Sequence, residues 1–196
     1  MEVTSINKTR RITETAIMIA LATVLSYVVF SKLPMGGSVT LFSQVPIIII
    51  GYRYGLKWGA ATGVIHGLLQ MVLQGLENFS YVKGIGSYLI LIFADYVVAF
   101  MVLGIGGALF KKAVKNQALA LGLGAAVASV LRYLCHFVSG ATIWKEYAGD
   151  QAVWFYSLTY NATYMLPELI ISVIGVVLLA VVLDFNSPTL IRKKKA

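Results

Sequence analysis

From Tyr88 to Phe110 the chain runs 23 residues with a single charged side chain, Asp95. About 20 consecutive apolar residues make a helix long enough to cross a bilayer. In hydrocarbon only helices and closed barrels satisfy their own backbone polar groups. One such run therefore dictates the solvent, and the solvent dictates the fold class. Five more apolar runs flank it: Thr13–Phe30, closed by Lys32 and Pro34; Leu41–Tyr52; Gly55–Gln74; Ala118–Ile143; and Asn161–Phe185. The second, with its VPIIIIGY core, is short for a full crossing. It starts nearer Ser38, tilts, or breaks at Pro46. The expectation is an all-α, polytopic membrane protein of six transmembrane helices.

Composition supports this and removes other classes. Of 196 residues, 59% are apolar and 12% charged, where soluble domains carry about 25% charged residues. An ordinary soluble globule, a disordered chain and a nucleic-acid-binding domain are excluded. Six spans and short loops leave no room for a separate soluble domain. We expect one integral membrane domain over 1–196, with an N-terminal tail at about 1–12, a bundle at 13–185 and a basic tail at 186–196. The polar stretch MEVTSINKTRRITET lacks the form of a cleaved signal, so the first span is expected to be retained. The lone Cys135 forbids an internal disulfide or a cysteine-rich metal site.

The net charge of +8 reads as topology once it is mapped. Lys8, Arg10 and Arg11 precede the first span; Arg53 and Lys57 separate the second from the third. Lys111, Lys112 and Lys115 separate the fourth from the fifth, and Arg192, Lys193, Lys194 and Lys195 follow the sixth. That is 12 of 16 cations on one side. The positive-inside rule places both termini in the cytoplasm of a multi-pass cell-membrane protein. The terminal basic cluster is also suited to touching anionic membrane lipid.

Ionisable groups inside spans are costly and mark function by default. They are Asp95, Arg132, His136, Glu168 and His66, and the topology puts most of them in the outer half. Residues four apart share a helix face. Arg132, His136, Gly140 and Trp144 therefore form one stripe; Asn161, Tyr164 and Glu168 form a second, and His66, Gln70 and Gln74 a third. Two readings stay open: interhelical hydrogen bonds, including a buried Asp–Arg or Glu–Arg pair, or a shared cavity facing outward. Aromatics crowd the outer loop: Trp144, Tyr147, Trp154, Phe155, Tyr156 and Tyr160. An interfacial belt accounts for Trp154 and Phe155, whereas Trp144 continues a polar stripe and Tyr96 adjoins Asp95. A carboxylate among ring faces suits a flat organic cation: each face adds about 0.5–2 kcal/mol and the carboxylate adds the counter-charge. Gly140 would let a planar ligand approach the backbone.

Gly55, Gly59, Gly63 and Gly67 make a ladder at four-residue spacing, expected to pack the third span within its own bundle. Ala16 and Ala20 make a smaller step, open to internal packing or to docking of another subunit. There is no phosphate-binding loop, HExxH or serine elbow, so neither ATP hydrolysis nor enzyme chemistry is expected, and no resident metal or cofactor.

Five segments resemble one family: TETAIMIALATVLSY, SVTLFSQVPIIIIGYRYGLKWGAATGVIHGLLQ, LIFADYVVAFMVLG, RYLCHFVSGATIWKEYA and YSLTYNATYMLPE. Together they run through all six spans. They resemble the substrate-binding S-components of energy-coupling-factor transporters, in particular the thiamine-specific ones. The resemblance implies high-affinity binding of thiamine, or a close analogue or precursor, from outside the cell. It also implies work with a transmembrane coupling subunit and two ATPase subunits, Ala16 and Ala20 facing the coupling subunit, and a pocket covered by the loop between spans one and two. By position, Asp95 and Tyr96 match an acidic–Tyr pair of the ligand site, which in the family is Glu–Tyr. His136, Gly140 and Trp144 match contacts in span five, and Tyr156 and Asn161 match contacts at the start of span six. Arg132 falls where a basic residue is expected, and His66 lies near the place of a family tryptophan. Tyr164 is grouped with this set, and Glu168 either binds ligand or pairs with Arg132. The alternative class is a stand-alone, proton-coupled secondary transporter using Asp95, Glu168 or His136.

Overall fold

The computed structural model describes residues 8–33 and 36–193. Pro34, Lys194 and Lys195, which figured in the reading of the first span and the basic tail, lie outside them, as does most of the expected N-terminal tail. The order is α1 (Lys8–Ser26), β1 (Val29–Lys32), β2 (Ser38–Thr40), α2 (Val45–Tyr54), α3 (Leu56–Gln74), α4 (Ile85–Leu109), α5 (Gln117–Thr142), α6 (Val153–Val182), β3 (Leu183–Asp184) and β4 (Ile191–Arg192). The chain is mostly helical. Three helices, α4, α5 and α6, are long and apolar enough to cross a membrane on their own; α2 is apolar but has 10 residues.

Two boundaries differ from the expected ones in ways that shape the site. The first helix stops at Ser26, and the rest of the expected span folds into an antiparallel hairpin pairing Val29 with Thr40 and Lys32 with Ser38. VVF is a β-favouring run, and here that preference wins over helix continuation. The last helix begins at Val153 rather than Asn161, so the aromatic segment before Asn161 is helical. Pro46 does not break α2. It occupies the first turn, where a missing N–H costs nothing.

The glycine ladder packs as expected. A methyl group on Gly59 would strike the carbonyl of Gly104, one on Gly63 that of Phe100, and one on Gly67 that of Tyr96. Helices α3 and α4 therefore meet backbone to backbone, which small residues permit. Gly55 is the exception: a methyl there would meet no neighbour, and its φ of +89° separates α2 from α3 at a sharp turn.

The end of the bundle holding the start of α1 and the C-terminal segment is fastened by Arg53. Read from sequence as a loop cation, Arg53 is 5% exposed. It donates to the carbonyls of Phe185 (3.0 Å), Ser187 and Pro188 (both 3.2 Å), and pairs with Glu14 of α1. Tyr54 donates to the same carboxylate at 2.6 Å. A buried guanidinium needs this many acceptors, and they tie α1, α2 and the C-terminal strands together.

Candidate functional site

At the opposite end, where α1 and α3 finish and α4 and α6 begin, lies a cavity of about 570 Å³. Ligand pockets for small molecules span about 300–1,000 Å³. Its wall includes Asp95, Tyr96, Arg132, His136, Gly140, Trp144, Tyr156, Asn161 and Tyr164. Nine of the sequence candidates thus converge from three helices and the segment after α5. The hairpin contributes Val29, Lys32, Gly36, Gly37 and Ser38, and α3 contributes Gln70 and Gln74.

Asp95 sits in a wide-turned π segment, Leu91–Val98, inside α4. Such turns are rare and recur at functional sites. A wider turn rotates successive residues by less than the 100° of an α-helix, which helps two neighbours, Asp95 and Tyr96, reach the same cavity. Asp95 faces α5: its Oδ1 is 3.0 Å from His136 Nδ1, and its Oδ2 accepts from Ser139 Oγ at 2.6 Å. Tyr96 turns toward the short turn after α3, where its hydroxyl accepts from Asn78 Nδ2 at 2.8 Å.

Helix α5 supplies the stripe expected from its spacing. His136 Nε2 is buried and has no partner among the described residues. The Arg132 guanidinium lies 4.6 Å from the centre of the Phe100 ring, and its Nε is likewise unpartnered among the described residues. Gly140 permits α6 to approach, since a methyl there would strike the Ser157 hydroxyl. Trp144 lies past the end of α5 at Thr142, yet still reaches the cavity, beside Tyr81 and Tyr147 with ring centres 6.2 and 5.9 Å away.

On α6, Asn161 donates to Ser157 O (2.8 Å) and His136 O (3.2 Å) and accepts from the Tyr164 hydroxyl at 2.6 Å. The amide is thereby locked between α5 and α6. Because α6 starts early, Tyr156, Tyr160 and Tyr164 fall on one helical face. The first two rings are nearly parallel at 26° with centres 5.8 Å apart, and the third is 5.9 Å from the second. Trp154 and Phe155 are exposed on the outer face of α6, where a belt would place them.

Two candidates lie elsewhere. His66 is 1% exposed and stands behind the cavity wall, its ring edge-on to Phe100 at 5.3 Å. Its neighbours Gln70 and Gln74 do line the cavity, so the expected stripe divides by depth: His66 is one helical turn further from the open end. Glu168 neither lines the cavity nor pairs with Arg132. Its carboxylate accepts from the Thr40 backbone N–H, from Thr40 Oγ1 at 2.7 Å and from Gln44 Nε2. It also lies further along α6 than the cavity-lining Asn161 and Tyr164, and the loop after β2 fills the space beside it. Among the described residues neither Asp95 nor Glu168 forms an ion pair with Arg132.

Sequence reasoning missed Ser139, Asn78 and the placement of Tyr160. Ser139 had a usable signal, lying three residues from His136 on the same face. Asn78 had none: it lies in a short turn after α3 and meets Tyr96 only through the tertiary fold.

Comparison with known proteins agrees with the resemblance of the segments. A family model described as thiamine transporter protein matches residues 12–186. The chain is 36% identical to the thiamine transporter ThiT of Bacillus subtilis over 198 residues, covering 95% of this chain and 96% of that one. It is 31% identical to the thiamine transporter ThiT of Lacticaseibacillus paracasei over 178 residues, covering 85% and 86%. Its fold overlays a solved structure of ThiT from Listeria monocytogenes with a TM-score of 0.70 at 24% identity, covering 87% of this chain and 92% of that one.

Proposed function

This chain belongs to the thiamine transporter protein family, a multi-pass membrane protein of transport, and from that premise we propose that the cavity at the open end of the bundle is its thiamine site. The observation that carries the reading is the Asp95 carboxylate among the ring faces of the inner wall, the other lining carboxylate, Glu77, being exposed and paired with Lys32 at 3.8 Å. Thiamine has a permanent thiazolium cation and a flat aminopyrimidine. Asp95 balances the cation, with Ser139 and His136 holding the carboxylate in place. Trp144 and His136 offer ring faces for stacking, Tyr96 and Tyr156 present polar edges, and Asn161, its amide hydrogens taken by Ser157 and His136, offers the remaining acceptor position of its Oδ1. Gly140 lets α6 close against α5, which brings Ser157 and Asn161 to the wall. Arg132, with Tyr164, completes the deep wall. No bond is made or broken in this account: selectivity comes from charge, shape and desolvation.

The chain spans the membrane six times in this reading, with both termini in the cytoplasm and the cavity opening outward. The asymmetric placement of Lys and Arg supports that orientation. It acts as the S-component of an energy-coupling-factor transporter. A transmembrane coupling subunit docks on the α1 face bearing Ala16 and Ala20, and two ATPase subunits supply the energy. Both alanines are exposed, which supports a docking role over internal packing.

Uptake of labelled thiamine into cells carrying the complete transporter separates this from proton-coupled transport. ATP depletion is expected to stop uptake, and an uncoupler applied at maintained ATP to leave it largely intact. Uptake that survives ATP depletion and collapses with the uncoupler would overturn the S-component assignment.

A further inference from the structure

We infer that Glu168 is a positioning residue for the hairpin that forms part of the cavity wall, holding that hairpin in place without touching the ligand. The inference rests on the thiamine reading only for the ligand used to time its release.

A carboxylate in the middle of an apolar helix is costly and calls for a reason. Glu168 is 3% exposed and has no cationic partner among the described residues. All three of its hydrogen-bond donors come from one short segment. One oxygen takes the N–H and hydroxyl of Thr40, and the other takes the carboxamide of Gln44. Thr40 is the last residue of β2, paired with Val29 of β1, and Gln44 immediately precedes α2. The carboxylate therefore bridges the exit of the hairpin and the entrance of the next helix.

The middle one of the three residues between the two anchors is strained. Phe42 has φ +57°, the one non-glycine residue at positive φ among those described. For an L-residue with a bulky side chain this region costs about 1–2 kcal/mol, and it persists only where the surroundings enforce it. Glu168 supplies that enforcement by fixing Thr40 and Gln44 on either side. The Phe42 ring adds to it, packing where a methyl on Gly175 of α6 would sit. On the other side of Glu168, Gly37 lies close against the Tyr164 ring and the Tyr160 hydroxyl. The hairpin and the turn after it are thus laid along α6, and Glu168 is the attachment between the Phe42 contact and the Gly37 contact, where the Tyr160 hydroxyl also hydrogen-bonds the Gly37 backbone. Since Val29, Lys32, Gly36, Gly37 and Ser38 form part of the cavity wall, the attachment sets where that wall stands.

Replacement by glutamine should be tolerated. The Gln44 Oε1 has no partner among the described residues, so its amide can turn over and accept from the new Nε2 while the other oxygen still serves Thr40. Replacement by alanine removes both anchors.

The test compares wild type, Glu168→Ala, Glu168→Gln and Thr40→Val as detergent-purified chains. Thiamine release is followed by tryptophan fluorescence in a stopped-flow chase. Glu168→Ala should release thiamine at least about tenfold faster, with the association rate and signal amplitude within about twofold of wild type. Glu168→Gln should stay near wild type, and Thr40→Val should shift in the direction of alanine. A purely structural role would instead lower the amplitude and leave the release rate of the surviving protein unchanged, which would overturn the inference. If Glu168→Ala does not fold, Thr40→Val carries the kinetic test, and a wild-type release rate in it overturns the inference. Tryptic cleavage after Lys32 on β1 gives a ligand-free reading: faster cutting in the weakened variants is expected, and equal rates overturn the proposal. If wild type shows no thiamine signal, the ligand assignment fails while the cleavage rates still decide the role of Glu168.

Discussion

Asp95→Asn is expected to weaken thiamine binding at least about tenfold, a loss of about 1.4 kcal/mol. Asparagine keeps the shape of the side chain and can still accept from Ser139, which lies 2.6 Å away in the wild type. What it loses is the charge. Two unit charges about 4 Å apart interact by about 4 kcal/mol at an effective dielectric of 20. Desolvation of both partners takes back part of that, so a tenfold loss is a conservative expectation. Isothermal titration of the purified variant measures it directly. Unchanged affinity would remove the counter-ion role of Asp95 and move the cation-balancing function elsewhere in the cavity.

The second large effect is expected at the opposite functional surface. Ala16→Trp should abolish uptake, to below about a tenth of wild type, while leaving the thiamine affinity of the isolated chain within about twofold. Ala16 and Ala20 are exposed on α1, whereas Thr15, Ile19 and Ala22 face the bundle. An indole at position 16 therefore displaces nothing inside the chain, but it holds any docking helix away from the close approach that small residues permit. The two assays separate binding from coupling. Normal uptake with Ala16→Trp would show that the alanine step is not the docking face.

How much of this was legible in the sequence follows from what kind of force sets each feature. The apolar runs report the solvent, so each expected span contains a helix, while the ends at Ser26, Val45 and Val153 were misplaced. The glycine ladder reports backbone contact, and three of its four members make that contact with α4. The α5 stripe reports helical spacing, so Arg132, His136 and Gly140 emerged together, with Trp144 following just past the helix end. The features that escaped depend on local backbone preference or on distant partners. The hairpin at β1 and β2 lay hidden because VVF also reads as the end of an apolar span. The early start of α6 was masked by the polar, aromatic character of its first turns. The π segment around Asp95 has no local signature; it is a register adjustment made where α4 packs against α3 and α5. Glu168 was correctly singled out as an ionisable group in a span. Its partners lie 124 and 128 positions away at Gln44 and Thr40, and periodicity along one helix says nothing about which loop will fold over it. His66 shared a stripe with Gln70 and Gln74, but a stripe fixes direction around a helix, not depth along it.

The account's central claim is that this chain by itself holds thiamine in the cavity walled by Asp95, His136 and Trp144. The most direct measurement is a titration of the detergent-purified chain with thiamine, read by its intrinsic tryptophan fluorescence, alongside the same titration of Trp144→Phe. The account predicts saturable quenching at nanomolar thiamine that is largely lost in the variant, because Trp144 is the one tryptophan on the cavity wall among the described residues. Well-folded wild-type protein that shows no quenching and no calorimetric binding would contradict it.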